Sequence, residues 1–295
     1  MGYFEDGRDL GARIGAHIAA LTAAGPRHRH NPSAVRAARD YIVSTLTELD
    51  QRVTEERYGD EPHQVNVVVE LQGKSSAGIV EVGAHWDSVA ASPGADDNAS
   101  GVAGLLEIAR ELGERDLPQP VRLCFFGEEE VGGFPGSSAH LRAAADRGDH
   151  IQAAIVLEMI GYRDSTPGSQ QLPEAAAAAL SAEGLTAPEA GDFIAVVGDS
   201  SAAHWVNALA TAAASLNRPL PVLPLAAPAG AVADAGRSDH SVYWGEGIPG
   251  VMITDTANFR NPHYHQPTDL PNTLDLDFAA QVIRMISAAL KAQRP

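Results

Sequence analysis

Two adjacent stretches, Val82-Gly-Ala-His-Trp-Asp-Ser-Val89 and Pro93-Gly-Ala-Asp-Asp-Asn-Ala-Ser-Gly101, gather residue types that hold metal ions. The first reads as a buried strand ending in His85 and Asp87; the second is a Pro/Gly turn delivering Asp96 and Asp97 to the start of a helix. In an open α/β sheet the carboxyl edge of the strands is where ligands are bound. An imidazole and three carboxylates on so short a tether form a nitrogen and oxygen donor set suited to zinc. A His-x-Asp pair alone is ordinary on a surface loop, so the weight rests on the second stretch.

Further groups of this kind fall at predicted strand ends. Val121 to Phe126 runs into Gly127-Glu-Glu-Glu-Val-Gly-Gly133. Three clustered acids repel one another and raise each other's pKa unless a cation neutralises them, which suits a metal ligand beside a general base. A strand over 151–157 delivers Glu158. Arg237-Ser-Asp-His-Ser-Val-Tyr-Trp244 starts a short helix whose Asp239 and His240 either support the site or cap the helix. Asn261-Pro-His-Tyr-His-Gln-Pro-Thr-Asp269 offers His263 and His265, and alternate residues of an extended segment point apart, so only one of them can be a ligand.

Positioning these groups requires an α/β scaffold. Apolar spacing predicts helices over 9–24, 33–49, 99–113 and 275–293. Apolar runs predict buried strands at Val121 to Phe126, 151–157, Phe193 to Val197 and Val251 to Thr254. Val65 to Leu71 and Ile79 to Gly83, separated by the Gly73 to Gly78 turn, read as an edge hairpin. The expected architecture is a three-layer α/β/α sandwich around a mostly parallel sheet, in one catalytic domain spanning 1–295. Residues 163–192 and 217–236, rich in Ala, Gly and Pro, read as loops near the site or a partial lid. Gly25-Pro-Arg-His-Arg-His-Asn-Pro32 reads as a solvated basic turn, since no carboxylate or cysteine accompanies its histidines.

With 295 residues, 44% of them hydrophobic, the chain can bury a sizeable core. A net charge of −17, from 38 acids against 21 basic residues, argues against a nucleic-acid partner. The single cysteine, Cys124, lies in an apolar strand and reads as a buried packing residue. No segment resembles a leader or reaches bilayer length, so a soluble, cytoplasmic protein with no membrane partner is expected. Nothing in the sequence sets an oligomeric state.

In these residues the chain resembles the zinc aminopeptidases with a co-catalytic metal pair, relatives of bacterial leucine-type aminopeptidases, glutamate carboxypeptidase and glutaminyl cyclase. The resemblance runs from His85 to Leu274 through the ordered motifs His-x-Asp, Gly-Ala-Asp-Asp-x-x-Ser-Gly, Glu-Glu-Val-Gly, an acid at a strand end, Ser-Asp-His and Tyr-His-x-x-x-Asp. It implies two Zn2+ per chain, bridged by Asp96, with His85 and Glu158 completing one site and Glu130 and His265 the other. It further implies Glu129 as base, Asp87 orienting His85, Asp97 following Asp96 across a cis peptide, and Tyr264 bonding the oxyanion as in some members. Glu158 departs from the Asp more usual in the family, and a one-residue slip in Glu128-Glu129-Glu130 makes Glu128 the base and Glu129 the ligand.

The implied reaction is hydrolysis of a peptide or amide bond by zinc-activated water, removing an N-terminal amino acid from a small peptide or aminoacyl amide. Three alternatives stand beside it: an amidase that removes a protecting group in biosynthesis, a single-zinc acyltransferase of the glutaminyl cyclase type, and a dead binding module. The last predicts missing ligands, and none is missing from the sequence.

Overall fold

The computed structural model describes residues 7–75, 78–182 and 184–293. Eight strands, β1 (Val53–Arg57), β2 (Val65–Leu71), β3 (Ile79–His85), β4 (Val121–Phe126), β5 (Ile151–Glu158), β6 (Ile194–Asp199), β7 (Val222–Ala227) and β8 (Gly250–Thr254), form one sheet in the order β1-β2-β4-β3-β5-β8-β6-β7. The central strands β4, β3, β5 and β8 are all parallel; β2 joins β4 and β6 joins β8 antiparallel, while β6 and β7 are parallel. The sheet is thus mixed, with its parallel part at the centre.

Strand periodicity separates the two faces. Val121, Leu123 and Phe125 of β4 and Val80, Val82 and Ala84 of β3 enter the main core. Helices α1 (Gly7–Thr22), α2 (Pro32–Glu48), α3 (Gly101–Leu112), α6 (Ala203–Ala214) and α8 (Leu276–Ala292) cover that face. The opposite residues Cys124, Phe126 and Ala154 pack in a smaller cluster with Leu141 of α4 (Pro135–Arg147) and Tyr243 of α7 (His240–Gly245). Parity puts Glu81, His85 and Glu158 on this thinner face too.

Helix α1 forms because Leu10, Ile14, Ile18 and Leu21 make one stripe, all buried. Pro32 opens α2, with the Asn31 side chain accepting from the Ala34 amide, and Asp275 caps α8 by accepting from the Phe278 amide.

Three expectations change. Val65–Leu71 and Ile79–His85 are not a hairpin: β3 is buried from Val80 to His85, so it takes the centre and pairs parallel with β4 and β5, while β2 pairs with β1 and β4. The stretches 163–192 and 217–236 are not wholly loop, since they contain α5 (Glu174–Ala182) and the edge strand β7. The turn at Gly25–Pro32 is not all solvated, because Arg27 is fully buried.

Candidate active site

The parallel strands end on one edge, and each delivers a piece of the site. Residue His85 closes β3 in register with Phe126 of β4, which leads directly into Glu128–Glu130, and Glu158 closes β5 in register with Thr254 of β8. After β3 the chain turns at Gly94, whose φ of 67° and close approach to the Asp97 carbonyl leave no room for a Cβ. The following segment Ala95–Ser100 is kinked at Asp97 (φ −103°, ψ 87°), and the Asp97–Asn98 peptide is cis.

At that kink Asp97 faces two imidazoles. Its Oδ1 lies 3.3 Å from His85 Nε2 and its Oδ2 lies 3.2 Å from His265 Nε2. Glu158 Oε2 is 3.4 Å from the same His85 nitrogen, and Glu130 Oε2 is 3.2 Å from the same His265 nitrogen. Two groups result, His85 with Asp97 and Glu158, and His265 with Asp97 and Glu130, each with potential ligand atoms within 4.8 Å of one another.

Asp96, expected as the bridging residue, does not take that place. Its Oδ1 accepts from the Gly161 amide at 2.9 Å and its Oδ2 from Asn261 Nδ2 at 2.8 Å, so both oxygens turn into the protein. The cis bond correspondingly follows Asp97 rather than Asp96. In the Glu128–Glu130 turn, Glu128 adopts φ 59° and places Oε1 3.1 Å from His63 Nε2, while Glu130 lies in the histidine group and Glu129 is buried beside it. Asp87 Oδ1 is 3.4 Å from His85 Nδ1, too far for a good hydrogen bond, while its oxygens accept from the Glu129 and Glu130 amides at 3.1 and 3.2 Å. Its hydrogen bonds therefore go to the turn that carries the two glutamates.

Residue His265 has φ 58°, and the Tyr264 ring stacks on its imidazole at 3.8 Å between centroids. The Tyr264 hydroxyl accepts from Arg237 Nη2 at 3.1 Å. His263 stands outside both groups, 2.9 Å from Thr268 Oγ1 through its Nδ1. Ser238 donates to Glu158 Oε2 at 2.6 Å, and Asp239 accepts from Ser137 while His240 Nε2 donates to the Ala235 carbonyl.

Charge crowding shows in the acid and base strengths. Burial raises Glu129 well above the usual carboxyl range, and Glu158, Asp239 and Glu130 add to it against the opposing pull of His85. Burial and the Asp97 charge push Glu130 up to about 7, and burial pushes Asp239 up to about 7. Burial alone would lower His265, yet the adjacent Asp97 and Glu130 carboxylates outweigh it and lift the imidazole to about 10. Burial likewise opposes the low pKa of Asp97, which the two imidazoles nevertheless hold below its usual range.

A donor test separates these groups from ordinary buried ion pairs. His85 Nε2, Glu130 Oε1 and His265 Nε2 are buried without a hydrogen-bond partner, and such atoms are costly unless something else engages them. A third cluster with ligand spacing, Glu81, Cys124 and His140, fails the test. There His140 sits between Glu56 and Glu81, and Glu81 also accepts from Arg122 and Tyr243, so its carboxylate and imidazole are already engaged. The first two groups fit zinc by donor type and by unmet valence; the third is a closed ion-pair network.

Beside the acids opens a cavity of about 440 Å³ whose mouth includes Asp97, Glu129, Glu130 and Glu158. Its walls are mainly apolar, with Leu172, Ala176 and Leu180 from α5 and the chain before it, Leu223 and Leu225 from β7, and Val232. Residues of both 163–192 and 217–236 thus line the cavity.

Sequence reasoning missed several supports. Asp269 accepts from the Asp96 and Asp97 amides at 2.9 and 3.2 Å; it closed a recognised motif but had no assigned role. Ser238, which donates to Glu158, likewise sat in a recognised motif with no assigned role, while Asn261, Asp255, which accepts from the Tyr162 and Ala257 amides, and Arg27 gave no signal beyond their polarity.

Comparison with known proteins places this geometry. The family model for peptidase family M28 matches residues 66–290. The chain belongs to peptidase family M28. This M28 chain is 36% identical over 270 residues to the uncharacterized protein YfbL of Escherichia coli (strain K12), covering 88% of the chain and 80% of that protein. It is 47% identical over 68 residues to the probable lipoprotein aminopeptidase LpqL of Mycobacterium tuberculosis, a match covering 23% of the chain and 14% of that protein. Among solved structures it resembles the Legionella pneumophila LapA aminopeptidase (TM-score 0.71, 18% identity, covering 100% of this chain and 78% of that one). It also resembles BSAP, a zinc aminopeptidase from Bacillus subtilis (TM-score 0.56, 24% identity, covering 77% and 49%). These structural likenesses carry the fold. Among the described residues, no helix is long and apolar enough to cross a membrane.

Proposed function

We propose that this M28 chain is a two-zinc aminopeptidase that removes N-terminal residues with large apolar side chains. The observation that carries the reading is Asp97, whose two oxygens face one imidazole each while Glu158 and Glu130 complete the two groups. His85, Asp97 and Glu158 would hold one ion, and Asp97, Glu130 and His265 the other. Zinc bound there supplies Lewis-acid polarisation of the scissile carbonyl and brings the pKa of water towards neutrality.

The protein's own groups do the remaining work. Glu129, buried and with its carboxyl pKa raised, takes a proton from the attacking water and returns it to the leaving amine nitrogen. Tyr264 donates its phenolic proton in a hydrogen bond to the carbonyl oxygen as negative charge develops, while Arg237 holds the phenol from the other side. Free carboxylate oxygens of Glu129 and Glu158, at the cavity mouth, receive the substrate's α-ammonium group. The apolar cavity receives its side chain and excludes water from the reacting bond.

Two ligand groups sharing one carboxylate favour this reading over a single-zinc acyltransferase, for which one group suffices. The test is Glu129→Ala measured with aminoacyl chromogenic amides and elemental analysis. The expected result is lost turnover with unchanged zinc content; retained turnover would overturn the base assignment, and zinc at one per chain would favour the acyltransferase.

A further inference from the structure

The basic turn at Gly25–Pro32 contains an arginine that solvation does not explain. Arg27 is wholly buried, although the neighbouring Arg29 and His30 are exposed. Its guanidinium donates to three backbone carbonyls, from Nε to Trp86 at 2.7 Å, from Nη1 to Pro93 at 2.6 Å and from Nη2 to Gly94 at 2.9 Å. Its own amide donates to Ser88 Oγ at 3.0 Å, and its carbonyl accepts from the Ser88 amide at 3.4 Å.

These bonds clasp the two ends of one loop. Trp86 follows His85 directly, Asp87 lies inside the loop, and Gly94 precedes Asp97 by three residues. One rigid, planar fork thus fixes the spacing between the strand that presents His85 and the kink that presents Asp97. The arrangement is unusual electrostatically. Burying a cation on neutral carbonyls is costly unless opposite charges lie near, and those charges here are Asp87, Asp269, Asp97 and Glu130. A positive charge behind a cation-binding centre weakens metal affinity by repulsion, so any gain from Arg27 must come through geometry.

We infer that Arg27 is a positioning residue that pre-sets the His85–Asp97 spacing of the metal centre by clamping Trp86, Pro93 and Gly94. The inference rests on the two-zinc reading above. Its two physical effects have opposite signs, so paired variants separate them. Arg27→Lys keeps the charge and loses the fork; Arg27→Gln removes the charge and also loses the three-point clamp.

The test uses the full chain. Zinc affinity is measured by competition with a chromophoric chelator, amide hydrogen exchange over residues 86–98 is followed in metal-free protein, and kcat and KM are read with a leucyl chromogenic amide. Both variants are expected to exchange faster over 86–98, to bind zinc about tenfold or more weakly, and to lose kcat by a similar factor at nearly unchanged KM, the scale seen when groups supporting a metal ligand are removed. Wild-type zinc affinity and kcat in either folded variant, whatever its melting temperature, would overturn the inference, as would tighter zinc binding by Arg27→Gln. Should neither variant fold, Ser88→Ala, which removes the bond from the Arg27 amide, is expected to weaken zinc binding in the same direction by a smaller factor, and an unchanged affinity there would equally overturn it. Absence of zinc-dependent hydrolysis in the wild type would sink the functional reading alone, because zinc affinity and exchange still judge Arg27.

Discussion

The apolar cavity makes a quantitative demand on substrate choice. Exchanging an alanyl for a leucyl amide adds three carbons to the group placed against Leu172, Leu180, Leu223, Leu225 and Val232. At ~0.8 kcal/mol per buried carbon this is about 2.4 kcal/mol, a factor of roughly sixty in kcat/KM if the whole side chain is buried in the transition state. The cavity volume of about 440 Å³ leaves space for that group, so no steric term should cancel the gain. Filling the cavity should reverse the preference. Ala176 is a buried residue of α5 on the cavity wall, and Ala176→Leu places the same three carbons on the protein instead of the substrate. The assay is steady-state kinetics on alanyl, leucyl and phenylalanyl p-nitroanilides with zinc-loaded enzyme. The leucyl to alanyl ratio should be tens-fold in the wild type and fall several-fold in the variant, with the alanyl rate little changed. Equal rates for the alanyl and leucyl amides in the wild type would refute the assignment of this cavity to the substrate side chain.

Four other outcomes follow from the geometry. Asp97→Asn should abolish binding of at least one zinc ion by elemental analysis, whereas Asp96→Asn, whose oxygens face Gly161 and Asn261, should chiefly lower the melting temperature. Glu129→Gln should keep zinc and lose about 10²- to 10⁴-fold in kcat, the usual range for a general base. Chelation should remove hydrolysis and zinc add-back restore it, with a melting temperature that rises with free zinc. The Glu81–His140 network predicts a pH-dependent stability. Burial disfavours charged His140, but Cys124, Glu56 and Glu81 outweigh it and raise its pKa well above 6.5, so its contribution is full below that value and fades as pH rises through the folded-state pKa. Glu56 and Glu81 are lowered despite burial, chiefly by His140, so theirs is full above the ordinary carboxyl range and fades in acid. The stability difference between wild type and His140→Gln, measured by urea denaturation, should therefore be largest in mild acid, between the ordinary carboxyl and imidazole values of 4.5 and 6.5, and shrink towards both extremes; a flat difference would contradict the assignment.

Much of the scaffold was legible because burial leaves a pattern. The stripes Leu10-Ile14-Ile18-Leu21 and Phe278-Val282-Ile283-Ile286-Leu290 are amphipathic at helical period, and both helices lie where that spacing puts them. Strands β4 and β5, covered on both faces, read as continuous apolar runs. What escaped was the periphery. Strand β1 is half exposed and polar, β7 contains Pro224 and is mostly half-buried, and α5 is an alanine run with little periodicity. The false hairpin had a different cause: two β-rich runs around a glycine turn imitate a hairpin locally, and only non-local pairing with β4 and β5 decides otherwise. Arg27 escaped because composition assigns arginine to solvent, and its burial depends on three carbonyls 59 to 67 residues away.

Adjacent identical residues mark the limit of pattern reading at the site. Asp96 and Asp97 offer the same chemistry, and a motif cannot separate them; the backbone does. Asp269 accepts from both of their amides and so fixes the turn as a unit. Gly161 and Asn261 then engage both oxygens of Asp96, satisfying it within the protein next to Asp255. Once Asp96 is held inwards, the kink at Asp97 sends the next carboxylate outwards between His85 and His265. The two aspartates thus act in different ways, Asp96 anchoring the turn from below and so letting Asp97 present both oxygens to opposite sides. Replacing Asp96 should therefore weaken zinc binding only as far as it loosens the turn, while replacing Asp97 removes a donor from both groups at once.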